Sequence, residues 1–105
     1  MGRREMIDLE QCIEDQKEWS IRTFGNGKRV EGICRHIEKE LEEVRSNPSD
    51  VYEWIDIVIL ALDGAWRSGY SPQEIALALV KKQNVNFGRV FPMPESEDAT
   101  SEAID

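Results

Sequence analysis

The sequence predicts an all-α fold, on three observations. Apolar residues recur at helical spacing, most plainly Val30, Ile33, Cys34, Ile37, Leu41 and Val44. No alternating apolar and polar run longer than a few residues marks a strand. Breakers and caps cut the 105 residues into four segments, a bundle that oligomerisation completes.

Residues 6–22 form the first segment, with Leu9, Ile13 and Trp19 near one side, and Gly25-Asn26-Gly27 breaks it. Residues 30–45 form the second, stopped by Asn47-Pro48-Ser49-Asp50, where Ser49 or Asp50 is placed to cap the next helix. The third covers about residues 51–68 and ends at Ser68-Gly69. Ser71-Pro72-Gln73-Glu74 opens the fourth as a capping box with proline at the first helical position. That helix runs through Ile75 to Val80 and frays before Gly88.

Composition narrows the function classes. The chain is one small domain, too short for two cores. Of its 21 acidic residues, Glu95, Glu97, Asp98, Glu102 and Asp105 fall in residues 92–105, which hold no basic residue. That stretch reads as a disordered acidic tail behind a domain of residues 1–91. The other 16 acids face 13 Lys and Arg with no dominant basic patch, which argues against nucleic-acid binding. No apolar run approaches the roughly 20 residues of a membrane span. Met-Gly-Arg-Arg-Glu at the start lacks the pattern of a secretory signal, so a cytoplasmic protein is expected. Cys12 and Cys34 have neither zinc-site nor Cys-x-x-Cys spacing and read as buried thiols in a reducing compartment.

The chemistry concentrates on two helices. On the second, Glu40 and Glu43 sit at i and i+3 with His36 beside the apolar stripe, while Glu38 and Glu42 fall on the other flank. The third helix is apolar around most of its circumference, yet Glu53, Asp56 and Asp63 share its remaining narrow face. Carboxylates on a mostly buried helix need a compensating charge. Arg67, one turn on, is placed to pair with Asp63 and does not reach Glu53, so a metal or another chain must answer for the rest. Glu53 has a structural alternative, since Asp50-x-x-Glu53 fits a capping box. Antiparallel packing of the two helices converges Glu40, Glu43, Glu53 and Asp56 on one site. Such a set suits Mg²⁺, which takes a few carboxylates, keeps its waters and brings one to a nucleotide polyphosphate.

Glu40-x-x-Glu43 followed by Glu53-x-x-Asp56 resembles the signature of the MazG-like all-α nucleoside triphosphate pyrophosphohydrolases. Further pieces resemble the dATP/dGTP diphosphohydrolase branch, whose phage members include the MazZ-like enzymes. They are Phe24-Gly25, Arg29, Gly32, residues 36–41, Glu53-Trp54-x-Asp56, Leu62-Asp63-x-Ala65-Trp66-Arg67-x-Gly69 and Lys82-x3-Asn86-x2-Arg89-Val90-Phe91-Pro92. Many MazG-like chains carry Glu-Glu where this one has Lys39-Glu40, but the four spaced carboxylates are present. The resemblance implies a Mg²⁺ enzyme, with Mn²⁺ as a substitute ion, that converts a deoxynucleoside triphosphate, dGTP or dATP above all, to monophosphate and pyrophosphate. Glu40, Glu43, Glu53 and Asp56 would hold the ion, one of them also orienting the attacking water, with Lys82, Asn86 and Arg89 contacting substrate. A phage-encoded member would act in the cytoplasm of its bacterial host.

The residues also have plainer readings. Lys82 and Arg89 near a helix end answer its last carbonyls as readily as a phosphate. Asn86 offers a two-sided amide to a base or sugar. Asp63 either contacts a sugar hydroxyl or pairs with Arg67, the ion pair being preferred. His36, one turn before Glu40, is expected to hold that carboxylate by a hydrogen bond rather than ligate. Trp54 and Trp66 are expected in a core or interface, and Phe24 beside the glycine turn is a candidate to cover a base. About 90 ordered residues leave too little chain to cover the third helix, so at least a dimer is expected, and the resemblance implies a dimer or tetramer. The competing class is a non-enzymatic acidic module that docks on a basic partner. Acids placed on the most apolar helix favour the enzyme.

Overall fold

The structure, a computed structural model, describes residues 6–89. The acidic segment 92–105 and its boundary with the domain lie outside the described residues. Four helices follow one another: α1 (Leu9–Phe24), α2 (Val30–Ser46), α3 (Val51–Arg67) and α4 (Pro72–Phe87). No strand occurs among the described residues, so the all-α reading stands.

Local chemistry sets each boundary. Asp8 adopts extended backbone and its Oδ1 accepts the Gln11 N–H at 3.0 Å, so α1 begins at Leu9 rather than at residue 6. It ends where Gly25 takes φ of 82°, a left-handed conformation that glycine adopts without steric cost. Asp50 caps α3 through its Oδ1, which accepts the Tyr52 N–H at 2.9 Å. The box at α4 is fully formed: Ser71 Oγ accepts the Glu74 N–H at 3.1 Å and Glu74 accepts the Ser71 N–H at 3.0 Å. The hydrogen bond from the Ser71 backbone, with that of its side chain, holds the Glu74 carboxyl below its ordinary range.

A four-residue connection folds α3 back on α2, and this hairpin is the main packed unit. α1 lies against α3 and α4, and α4 touches α3 less extensively. The buried apolar side chains are Ile13 of α1, Ile33 and Val44 of α2, and Trp66 of α3. No helix among the described residues is long and apolar enough to cross a membrane.

One expectation fails in the single chain. Cys12 and Cys34 are both exposed rather than buried. Cys12 precedes the fully buried Ile13 and Cys34 follows the nearly fully buried Ile33, and one residue of helix turns a side chain by about 100°, out of the seam. α3 is only partly covered by the single chain, as the short sequence leads one to expect, with Trp54 at 50% exposure and Ile55, Val58 and Ile59 also open. Among the described residues α2 packs chiefly on α3, and no further helix covers the outer side of the hairpin. Trp66 is buried as expected, whereas Trp54 lies at the edge, its Nε1–H donating to the Pro48 carbonyl at 3.0 Å.

Candidate functional site

The α2–α3 hairpin carries the acids that the sequence singles out. Carboxylate oxygens of Glu40, Glu53 and Asp56 lie within 4.8 Å of one another, an arrangement that accommodates a metal ion. Glu40 comes from the third turn of α2, and Glu53 and Asp56 come from the first turns of α3, brought opposite by the short connection. Glu40 is largely withdrawn from solvent, its side chain 15% exposed; Glu53 is half-buried and Asp56 exposed. Asp50 caps through the Tyr52 N–H, and Glu53 makes no return bond to it. The capping-box alternative for Glu53 therefore lapses.

Glu43, one turn beyond Glu40, is exposed and does not join the three-oxygen cluster. Its charge nevertheless reaches the site. Partial burial, then the fields of Glu43, Asp50, Asp56 and Glu40, push the Glu53 carboxyl above its ordinary range. A group of like charges that resists ionisation in this way has the chemistry of an oxygen donor set for a hard divalent cation. His36 stands one turn before Glu40 with its Nε2 3.3 Å from Glu40 Oε1.

The cluster opens into a cleft of about 390 Å³, within the roughly 300–1,000 Å³ typical of small-molecule sites. Glu40, His36 and Asp56 line one part of it. Trp19, Phe24 and Arg29 line another, and Asp63 lies in its wall. Trp19 and Phe24 meet edge to face, their centroids 5.7 Å apart, and Arg29 lays its guanidinium 4.6 Å from the Phe24 ring centre.

Asp63 is buried and its oxygens are engaged by protein groups. Oδ2 accepts from Ser20 Oγ and, at 3.0 Å, from Gln16 Nε2, while Oδ1 accepts from Arg67 Nε. Burial raises the cost of its charge, but bonds from Ser20, Arg67 and Gln16 outweigh that cost and hold the carboxyl below its ordinary range. Arg67 extends the network, donating to the carbonyls of Gly25 at 2.8 Å and Gly27 at 2.7 Å, and to Ser20 Oγ at 2.9 Å. The guanidinium also lies over Trp66, whose Nε1–H donates to Gln16 at 3.0 Å. The ion pair preferred for Asp63 is thus present, and it anchors the turn between Phe24 and Arg29.

Lys82, Asn86 and Arg89 lie on α4 and just beyond it, and none lines the cleft. Asn86 keeps a buried Oδ1 without a hydrogen-bond partner among the described residues. Gln16 and Ser20 escaped sequence reasoning as site-supporting residues. Their signal was a polar pair at i and i+4 on the same side of α1 as the buried Ile13.

The chain is 36% identical over 88 residues to the Eaa protein of Salmonella phage P22, an alignment covering 84% of the chain but only 27% of that longer relative. No solved structure matches the chain significantly. A family model described as dATP/dGTP pyrophosphohydrolase matches residues 12–105, a span that includes α2, α3 and α4 whole together with every residue of the carboxylate cluster and the cleft. The chain belongs to the dATP/dGTP pyrophosphohydrolase family.

Proposed function

We propose that the protein is a Mg²⁺-dependent hydrolase that converts a purine deoxynucleoside triphosphate, dGTP or dATP, to the monophosphate and pyrophosphate. The observation that carries this reading is the meeting of Glu40, Glu53 and Asp56 oxygens within 4.8 Å at the edge of the cleft. Family membership supports the same activity.

Glu40, Glu53 and Asp56, with Glu43 beside them, are the residues to hold the ion, and Mn²⁺ is the expected substitute. A bound divalent cation supplies Lewis acidity toward the phosphate oxygens and lowers the pKa of water at neutral pH. One carboxylate of the set orients the attacking water and takes its proton. Water adds at the α-phosphorus, the bond from that phosphorus to the α–β bridging oxygen breaks, and that oxygen leaves with pyrophosphate. His36 keeps Glu40 in position through the reaction. We assign Lys82, Asn86 and Arg89 to parts of the nucleotide that extend beyond the cleft, where cations offset the repulsion between polyphosphate and the acidic cluster. Asp63 has a structural assignment, because Ser20, Gln16 and Arg67 already occupy it.

Assembly into dimers or tetramers belongs to the same proposal. Trp54, Ile55, Val58 and Ile59 of α3 stay open in one chain, and a second copy is the covering we assign to them.

Chromatography of products from all four deoxynucleoside triphosphates, with Mg²⁺ and with EDTA, tests the activity. Monophosphate plus pyrophosphate from the purine substrates, abolished by EDTA, is the expected result. Orthophosphate with a diphosphate moves the cleavage point and overturns the mechanism. If all substrates return intact, the acidic docking module becomes the better account.

A further inference from the structure

The aromatic end of the cleft has a composition that the carboxylate chemistry does not use. Trp19 and Phe24 are 51% and 52% exposed, set at 85° to each other, and both open into the cleft that Glu40 and Asp56 border. Half-exposed aromatics that pack edge to face and still present area to a cavity are suited to a flat apolar ring. Arg29 is stacked over Phe24 and, among the described residues, pairs with no carboxylate. Its guanidinium thus keeps in-plane N–H donors for an acceptor in the cleft.

The wall is also fixed in place. Phe24 ends α1 and Arg29 precedes α2, and the Gly25 and Gly27 carbonyls between them are both held by Arg67, itself locked to Asp63. Gly25 at φ of 82° makes the reversal that brings the two side chains together.

We propose that Trp19, Phe24 and Arg29 form the seat of the purine base, the ring lying against the aromatic corner and Arg29 donating to purine N7. The assignment rests on the nucleotide reading above and names the part of the substrate held at this end. Both adenine and guanine present an N7 acceptor and pyrimidines have none, so one donor at this position separates the two classes. The phosphates then run toward Glu40 and Asp56 at the other part of the cleft.

Steady-state kinetics with dATP and dGTP against their 7-deaza counterparts tests this on the unmodified protein. The analogues keep ring area, sugar and triphosphate and lose only the acceptor. KM is expected to rise by about tenfold or more on the 7-deaza substrates, as loss of a hydrogen bond to a charged donor requires. Arg29→Met is expected to erase that difference, and Phe24→Ala to raise KM for natural and 7-deaza substrates alike. Equal KM values for natural and 7-deaza substrates in the wild type overturn the seat while leaving the hydrolase reading in place. If the wild type cleaves no nucleotide, the hydrolase reading falls. The seat is then judged alone, by tryptophan quenching in EDTA with dGMP and 7-deaza-dGMP: tighter binding of dGMP sustains it, and equal or absent binding overturns it.

Discussion

Arg67 and Asp63, one turn apart on α3, form a buried ion pair whose side chains are 2% and 7% exposed. The pair borders the cleft through Asp63 and lies outside the carboxylate cluster. It ties α3 to Ser20 of α1 and to the glycine turn before α2, so the position of the cleft wall depends on it. Asp63→Ala leaves the guanidinium buried without its partner and is expected to cost about 3–5 kcal/mol. Urea denaturation measures that loss directly.

The same aspartate sets an acid limb. Its carboxyl titrates lower in the folded chain than in the unfolded one, so its contribution is complete above the ordinary aspartate range. It is lost as the pH falls through the depressed folded value. Asp63→Asn should flatten that part of the stability–pH curve, and thermal melts across acidic buffers read the change.

Glu53 has the opposite sign. Its raised carboxyl makes the ionised group unfavourable in the metal-free fold, a penalty absent well below the unfolded value and complete above the folded one. Glu53→Gln is therefore expected to raise the melting temperature of metal-free protein at neutral pH while removing Mg²⁺-dependent hydrolysis by about 10²–10³-fold. Stability lost together with activity would contradict this.

The proposed role of His36 is to position Glu40. His36→Ala is expected to weaken Mg²⁺ affinity by about 10–100-fold, with the lost activity partly restored at high Mg²⁺. Glu43→Gln, outside the three-oxygen cluster, should cost less than Glu40→Gln.

Ser71→Ala removes one half of the formed capping box and is expected to cost about 1 kcal/mol without changing KM, since α4 opens away from the cleft-lining residues. On the apolar side of α3, Val58→Asp is expected to shift light scattering from two or four chains toward one. A fully active wild-type monomer would sink the oligomer proposal.

The helices were legible because their ends are written locally. Gly25, Asp50 and the Ser71-Pro72-Gln73-Glu74 run each settle a boundary within four residues. The convergence of Glu40 with Glu53 and Asp56 was legible for a related reason: two i, i+3 acid pairs sit on successive helices joined by a short turn. The network around Asp63 was only half legible. Arg67 lies one turn away, but Gln16 and Ser20 lie 47 and 43 residues away, and no local pattern pairs side chains across that separation. Cys12 and Cys34 misled because sharing a helix with an apolar stripe does not put a residue in its centre.

Calorimetric titration of the metal-free protein with Mn²⁺, beside Glu53→Gln and Asp56→Asn, bears most directly on the carboxylate site. Saturable binding of at least one ion per chain, lost in both variants while their helical content is unchanged, is the expected result. Equal binding by the wild type and both variants would show that Glu40, Glu53 and Asp56 do not form the metal centre.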